Sequence, residues 1–268
     1  MSQVPEALFE GYPTGRPLER QKALVLGIAN ENSIAYGCAR AFRKLGADLA
    51  ITYLNDKARP YVEPLAKQLE AVLFEPLDVQ KPDQMEHLFE RIKKTWGRLD
   101  IALHAIAFAP KEDLQGGLLD CSAAGFSLAM DVSCHSFIRM AKLAAPLMSG
   151  EGAIVAMTYY GANKVIPTYS VMGPVKAALE SVVRYLAFEL GPKGIRVHAV
   201  SPGPIKTRAA SGLKDFDQLV DEAAKRAPLG QSVDIYDVGM STAFLVTPYG
   251  RRLTGSTFYV DAGLNIMA

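Results

Sequence analysis

Ala23-Leu24-Val25-Leu26-Gly27-Ile28, followed after four residues by a helix-forming stretch over 33–45, decides the fold of this chain. The first run is almost wholly apolar and reads as a strand buried on both faces. Gly27 supplies a sharp turn at its end, and Ser33 is placed to cap the helix. The same alternation runs to the C-terminus. Further strands are expected at 47–53, 72–77, 99–106, 153–157, 195–200 and 257–260. Helices are expected at 57–70, 83–96, 122–148, 170–190, 216–225 and 235–245. In the 83–96 helix, Met85, Leu88, Phe89 and Ile92 share one face. Short apolar strands alternating with helices specify a doubly wound parallel sheet of the α/β class, here in a single domain.

Composition narrows the function. The 268 residues carry 29 Lys+Arg against 28 Asp+Glu, a formal charge of +1. That balance argues against a nucleic-acid binder, which needs surplus cation to displace counterions from phosphates. Apolar residues reach 49%, so the chain can bury a core and is not disordered. Cys38, Cys121 and Cys134 are too few and too scattered for a disulfide framework. No Cys/His cluster calls for a metal, and a reducing cytoplasm is the simplest compartment. Glu6 and Glu10 precede any apolar run, which argues against a secretory leader. The near-apolar stretch 101–110 is interrupted by His104 and is half the length of a bilayer span, so no membrane insertion is expected. Residues 1–20, with Gly11, Pro13, Gly15 and Pro17, read as an extended arm before a domain over 21–268.

Ligands of such sheets sit beyond the carboxyl ends of the strands. Gly27 lets the backbone approach a pyrophosphate, whose charge would meet the amides of the following helix. The run lacks Gly-x-Gly-x-x-Gly, so on its own it is equally a plain structural turn. After the second strand, Tyr53-Leu54-Asn55-Asp56-Lys57 offers neither an acid for ribose hydroxyls nor an arginine for a 2′-phosphate directly at the strand end. After the third, Asp78 could bind the adenine amine and Val79 its face, or Asp78 could cap the next turn. Tyr169 and Lys176 stand seven apart, two helical turns, and so share a face. A phenol beside a nicotinamide can hydrogen-bond an oxygen on which negative charge develops, and a lysine can hold the ribose. That pair alone also fits an ordinary amphipathic helix.

Taken in order, these motifs resemble a family. They are Gly27 with Ser33-Ile34-Ala35-Tyr36-Gly37, Thr52-Tyr53-x-Asn55-Asp56-Lys57, His104-Ala105-Ile106-Ala107-Phe108-Ala109-Pro110, and Tyr159-x9-Tyr169-x2-Met172-Gly173-x2-Lys176. Gly203-Pro204-Ile205-Lys206-Thr207, Ala210-Ser211-Gly212 and Val260-Asp261-x-Gly263 follow. From about Gln21 onward the chain resembles the short-chain dehydrogenase/reductase superfamily, with its Rossmann-type sheet. It is closest in pattern to the divergent branch of bacterial enoyl-acyl-carrier-protein reductases. Ordinary members have Tyr-x3-Lys and a serine thirteen residues before the tyrosine. Here the spacing is Tyr-x6-Lys, and Ala156 fills the serine position.

The resemblance implies a function and a set of roles. NADH, with NADPH as an alternative, would reduce a trans-2-enoyl thioester carried by acyl carrier protein or CoA. Tyr169 would hydrogen-bond the thioester oxygen, Lys176 would hold the nicotinamide ribose, and Tyr159 would line the acyl site and assist orientation or protonation. Gly27, Ser33, Ile34, Asp78, Val79 and Ile106 would form the dinucleotide cradle. Ile205, Lys206, Thr207, Arg208 and Ala209 would meet the carboxamide and diphosphate, and Ala109 the thioester region. Residues 209–225 would form a substrate lid, and the assembly would be a homotetramer. Leu54 stands where relatives often carry a polar residue for the adenosine side, which leaves NADH against NADPH open. Two other readings stay in view: a β-ketoacyl or other carbonyl reductase, and a non-catalytic dinucleotide-sensing relative. His104 and His198 read as satisfied core histidines. The basic residues Lys206, Arg208, Lys214, Lys225 and Arg226 interleave with Asp215, Asp217, Asp221 and Glu222 as a mixed surface.

Overall fold

The structure, a computed structural model, describes residues 15–167, 169–207 and 216–267. Seven parallel strands form one sheet: β1 (Lys22–Leu26), β2 (Asp48–Tyr53), β3 (Leu73–Pro76), β4 (Ile101–His104), β5 (Ala153–Met157), β6 (Arg196–Pro202) and β7 (Thr257–Val260). Their spatial order is β3-β2-β1-β4-β5-β6-β7. Register pairs Val25 with Ile51 on one side of β1 and with Leu103 on the other. The helices are α1 (Ile34–Lys44), α2 (Arg59–Gln68), α3 (Pro82–Trp96), α4 (Lys111–Gln115), α5 (Ala123–Met130), α6 (Ser136–Ala144), α7 (Met172–Leu190), α8 (Phe216–Arg226) and α9 (Ile235–Val246).

Strand side chains alternate between the faces of the sheet. Leu24 and Leu26 join one core with residues of α3, α6 and α7; Ala23 and Val25 join the other with residues of α1, α2 and α9. This two-sided burial is the physical origin of the uniform apolar runs in the sequence. On the second face α1 and α9 cross with their backbones nearly touching. A Cβ on Gly37 would lie 2.0 Å from the Ile235 carbonyl oxygen, and one on Gly239 would lie 2.4 Å from the Gly37 oxygen. Asp234 starts α9 with a reciprocal capping box. The buried Arg196 guanidinium ends it, donating to carbonyls of Leu245, Val246 and Gly250.

Several elements differ from the sequence reading. The expected 122–148 helix is interrupted by a wide π turn at Asp131–His135, where polar side chains bond outward to other segments. The short helix α4 has no counterpart in the expectation, being too short to show periodicity. Ser33 occupies the N-cap position, but its hydroxyl does not bond the helix amides. Leu18, inside the segment expected to be an arm, is fully buried, and its N–H donates to Leu45 O at 2.9 Å. Residues 1–14 lie outside the described residues. His104 engages one ring nitrogen, whereas buried His198 has a hydrogen-bond partner for neither among the described residues. Burial keeps it neutral, with its pKa lowered to about 4, and its ring packs edge-on against Phe258. No helix among the described residues is long and apolar enough to cross a membrane.

The α1–α9 crossing gives a direct stability test. Gly239→Ala forces a methyl into the Gly37 carbonyl and is expected to cost about 3 kcal/mol. Urea unfolding should show a lower midpoint with an unchanged slope.

Candidate active site

Every loop singled out in the sequence emerges from the carboxyl edge of the sheet. β1 and β4 are neighbours there, although β2 and β3 intervene in the chain, so the crossovers diverge at this point and open a crevice. Gly27 lies at its floor with φ of +103°, and a Cβ there would sit 2.2 Å from the Ala105 carbonyl oxygen. The Ser33 hydroxyl accepts from the N–H groups of Ala29 and Asn30 at 3.0 and 3.1 Å, folding the loop back on itself. That hydroxyl does not cap α1: the Ser33 carbonyl accepts from Tyr36 N and Gly37 N at 2.9 and 3.2 Å, which leaves the amides of Ile34 and Ala35 without an acceptor in the helix. No acidic residue stands in that first turn. A backbone that admits close approach and presents uncapped amides fits a diphosphate. Leu54 is exposed after β2. Asp78 accepts from Gln80 N at 3.0 Å, shaping the turn after β3, while Val79 is buried beside it.

The loop after β4 is fastened from behind by the π turn. Ser133 Oγ accepts from Phe108 N at 2.9 Å and donates to Phe108 O at 3.0 Å. Ser136 Oγ donates to Val132 O at 2.6 Å, so it accepts from His104 Nε2 at 2.7 Å. That fixes the tautomer, and burial lowers the His104 pKa to about 3, keeping the ring neutral. These bonds set the course of Ile106 and Ala109, both of which pack partly against the core. Further along, the Asp113 carboxylate accepts from Ser122 N at 2.6 Å, and the Asp113 carbonyl accepts from Ser170 Oγ at 3.3 Å. The loop after β4 is thereby tied to the residue next to Tyr169.

Tyr159, Tyr169 and Lys176 converge at the end of β5. The rings of Tyr159 and Tyr169 meet edge-on with centroids 4.9 Å apart. Their proximity depends on Gly161, where a Cβ would lie 2.6 Å from Tyr169 Cδ1. Tyr159 Oη is buried without a hydrogen-bond partner among the described residues. Burial raises both phenol pKa values well above the ordinary one, so both groups stay protonated donors near neutral pH. Tyr169 differs from expectation in one respect. It stands in the turn before α7 rather than on the helix, because Ser170 at φ +38° breaks the helical path.

Lys176, on the first turns of α7, is 4% exposed and donates from Nζ to Met157 O at 2.8 Å. Burial pulls its pKa down to about 8, opposed by the charge of Glu180 one turn further on. Glu180 was not singled out in the sequence. It is buried and accepts from Thr158 Oγ1 at 2.9 Å and Asn163 Nδ2 at 3.2 Å, clamping both ends of the segment that carries Tyr159. An acid at i+4 from the family lysine, on a helix face otherwise apolar, was the available signal.

After β6, Ile205 packs partly against the second core. Asp261 supports this loop: Gly203 lies against it, and its carboxylate accepts from Gly263 N and Asn265 N. Lys206 and Thr207 follow in the described backbone, whereas Arg208 and Ala209 lie outside the described residues, as do the first residues of the expected lid. The remainder of that segment forms α8. A cleft of about 290 Å³ opens between α8 and the loop after Tyr160, lined by Val165, Ile166, Pro167 and Leu219 among others. The described residues hold no cluster of metal-ligating side chains.

Lys176 provides a stability test with a defined sign. Between pH 8 and 10.5 the unfolded lysine holds a proton that the folded one has released, so the fold gains stability as pH rises through that window. Lys176→Met is therefore expected to be more stable than the parent at pH 7, by roughly 2 kcal/mol. Urea titrations across the window should show that gap narrowing.

Comparison with known proteins gives a consistent result. A family model described as Enoyl-(Acyl carrier protein) reductase matches residues 27–265. An NADH enoyl-acyl-carrier-protein reductase of Aquifex aeolicus is 45% identical over 251 residues, covering 93% of each chain. That of Haemophilus influenzae is 42% identical over 96% of this chain and 97% of its own. The crystal structure of the reductase from Anaplasma phagocytophilum in complex with NAD superposes with a TM-score of 0.91 at 40% identity, covering 95% of this chain and 97% of that one. With the crevice at the β1–β4 divergence and the tyrosine pair beside a buried lysine, the chain belongs to the enoyl-acyl-carrier-protein reductase family.

Proposed function

We propose that this chain reduces trans-2-enoyl thioesters to saturated acyl thioesters with NADH, as a step of type II fatty acid biosynthesis. The observation that carries this reading is the edge-on contact of two protonated phenols just beyond β5, whose last carbonyl is held by a buried lysine. When bound, NADH supplies a hydride to the β-carbon of the double bond. The electron pair of that bond moves through the α-carbon onto the thioester oxygen, giving an enolate. Tyr169 donates a hydrogen bond to that oxygen, where charge is greatest in the transition state. Its raised pKa suits a donor that stabilises the enolate without ionising. Tyr159, with its hydroxyl unpartnered among the described residues, orients the thioester and assists proton delivery to the α-carbon. Lys176, protonated at neutral pH, holds the ribose hydroxyls of the nicotinamide half.

The remaining residues bind rather than react. Gly27, Ser33 and Ile34 cradle the diphosphate; Asp78 and Val79 take the adenine; Ile106 walls the cleft. Ile205, Lys206, Thr207, Arg208 and Ala209 meet the carboxamide and diphosphate, and Ala109 touches the thioester. Leu54 offers no charge to a 2′-phosphate, which favours NADH, with NADPH as a slower donor. Residues 209–225 act as a lid over the apolar acyl chain, and the cleft beside α8 is its mouth. The substrate arrives on acyl carrier protein, or on CoA in vitro. We further propose a cytoplasmic homotetramer, with residues 21–268 as one catalytic domain to which Leu18 also packs. Exposed apolar side chains such as Tyr185 and Phe188 on α7, and Ile266 near the C-terminus, suit subunit contacts.

The serine of an ordinary carbonyl reductase would stand at position 156, where the buried methyl of Ala156 supplies no hydroxyl, and the nearby Thr158 hydroxyl is committed to Glu180. A non-catalytic sensor would have no use for the buried tyrosine–lysine constellation. NADH oxidation with crotonyl and acetoacetyl thioesters tests the assignment. The crotonyl substrate should be strongly preferred, and Tyr169→Phe should lower kcat by about 100- to 1000-fold. Preference for the acetoacetyl thioester, or an unaffected Tyr169→Phe variant, contradicts the proposal.

A further inference from the structure

α6 carries an arginine that the reaction scheme does not use. Arg139 Nη1 donates to Asp131 Oδ1 at 2.6 Å, and Nη2 approaches Asp131 Oδ2 at 3.4 Å. The same Nη2 donates to the Val79 carbonyl oxygen at 2.6 Å. His135 Nδ1 lies 2.9 Å from Nη1 and 3.2 Å from Asp131 Oδ1. Arg139 Nε is buried without a partner among the described residues. One guanidinium therefore joins the π turn to the turn after β3, across 60 residues of sequence. Its planar fork matches a carboxylate on one edge while leaving a donor for the carbonyl, a geometry an ammonium cannot copy.

The turn it grips is otherwise held largely by local bonds. Asp78 N donates to Gln84 Oε1 at 2.8 Å, and the Asp78 carboxylate accepts from Gln80 N. Leu77 N bonds Tyr53 O, anchoring only the entry to the turn. The Val79 carbonyl thus ties the turn by a hydrogen bond to α6 and the π turn, beyond the bond to Gln84 of neighbouring α3 and the packing of Leu77 and Val79 in the core.

We infer that Arg139 is a positioning residue for the adenine end of the crevice, setting NADH affinity by holding the Val79 carbonyl against the π turn through its pairing with Asp131. This rests on the proposed adenine role of Asp78 and Val79. The pair is ionised, since Arg139 holds the Asp131 carboxyl below the ordinary carboxylate range. The π turn then organises both halves of the cofactor site. Ser133 fixes the loop toward the nicotinamide, and Asp131 with Arg139 fixes the turn toward the adenine.

The test is steady-state kinetics of Arg139→Met, Arg139→Lys and Asp131→Asn with NADH and with reduced nicotinamide mononucleotide, which lacks the adenosine half. Arg139→Met should raise KM for NADH about tenfold while kcat and the thioester KM stay unchanged. Arg139→Lys and Asp131→Asn should fall between, and none of the three should alter turnover of the mononucleotide. If Arg139→Met does not fold, Arg139→Lys carries the comparison. An unchanged NADH KM overturns the inference, and so does an equal loss with both cofactors, which would mark a general structural role. Val79→Asp, which sets a charge against the base, separates the two layers. If it too leaves the NADH KM unchanged, the adenine assignment itself fails, whereas a raised KM there with unaffected Arg139 variants sinks the positioning role alone.

Discussion

An ammonium group sealed from water at the carboxyl end of β5 is the constraint on which the rest of the site depends. Burial opposes its charge, which is supported by the Met157 carbonyl that accepts from Lys176, by Cys134, and by Glu180 one helical turn away. The bond from Lys176 to the Met157 carbonyl and that from Thr158 to Glu180 hold α7 against the end of β5 and so set where the tyrosines stand. Glu180 in turn binds Thr158 and Asn163, which bracket Tyr159. A buried charge held by so few groups lowers stability, and its retention marks a place where function outweighs packing.

The cofactor crevice follows the same logic at larger scale. A parallel sheet wound in both directions opens a gap wherever neighbouring strands send their loops apart, and here that gap lies between β1 and β4. Its floor is a glycine because the Ala105 carbonyl leaves no room for a side chain. Its walls are loops, which would wander without fastening. One π turn fastens two of them: Ser133 holds the loop after β4, and Asp131 with Arg139 holds the turn after β3. Insertion of a wide turn into a helix costs regular hydrogen bonding, and such turns concentrate where side chains must be re-aimed toward a site.

The sheet was legible in the sequence because burial on both faces writes itself as unbroken apolar runs, as in Ala23 to Leu26 and Ala153 to Met157. The tyrosines and the lysine were legible through their spacing. What escaped was the part of the structure built from single polar side chains reaching across the fold. Nothing local marks Arg139 as the partner of Val79 or Glu180 as the partner of Thr158. Ser33 followed the pattern of a helix cap, yet its hydroxyl turned to the loop amides instead. Tyr169 and Lys176 stand two helical turns apart in the sequence, but the left-handed backbone at Ser170 places the tyrosine ahead of α7. Periodicity reports burial, and these features are decided by hydrogen-bond geometry between distant segments.

The central claim is that hydride reaches the β-carbon of an enoyl thioester while Tyr169 steadies the oxygen. Turnover of crotonyl thioester with NADH deuterated at the transferring position, followed by mass and NMR analysis of the product, tests it most directly. The account predicts one deuterium at the β-carbon of the butyryl product, and in heavy water with ordinary NADH a solvent deuterium at the α-carbon. Label from the cofactor at the α-carbon, or none in the product, would contradict it.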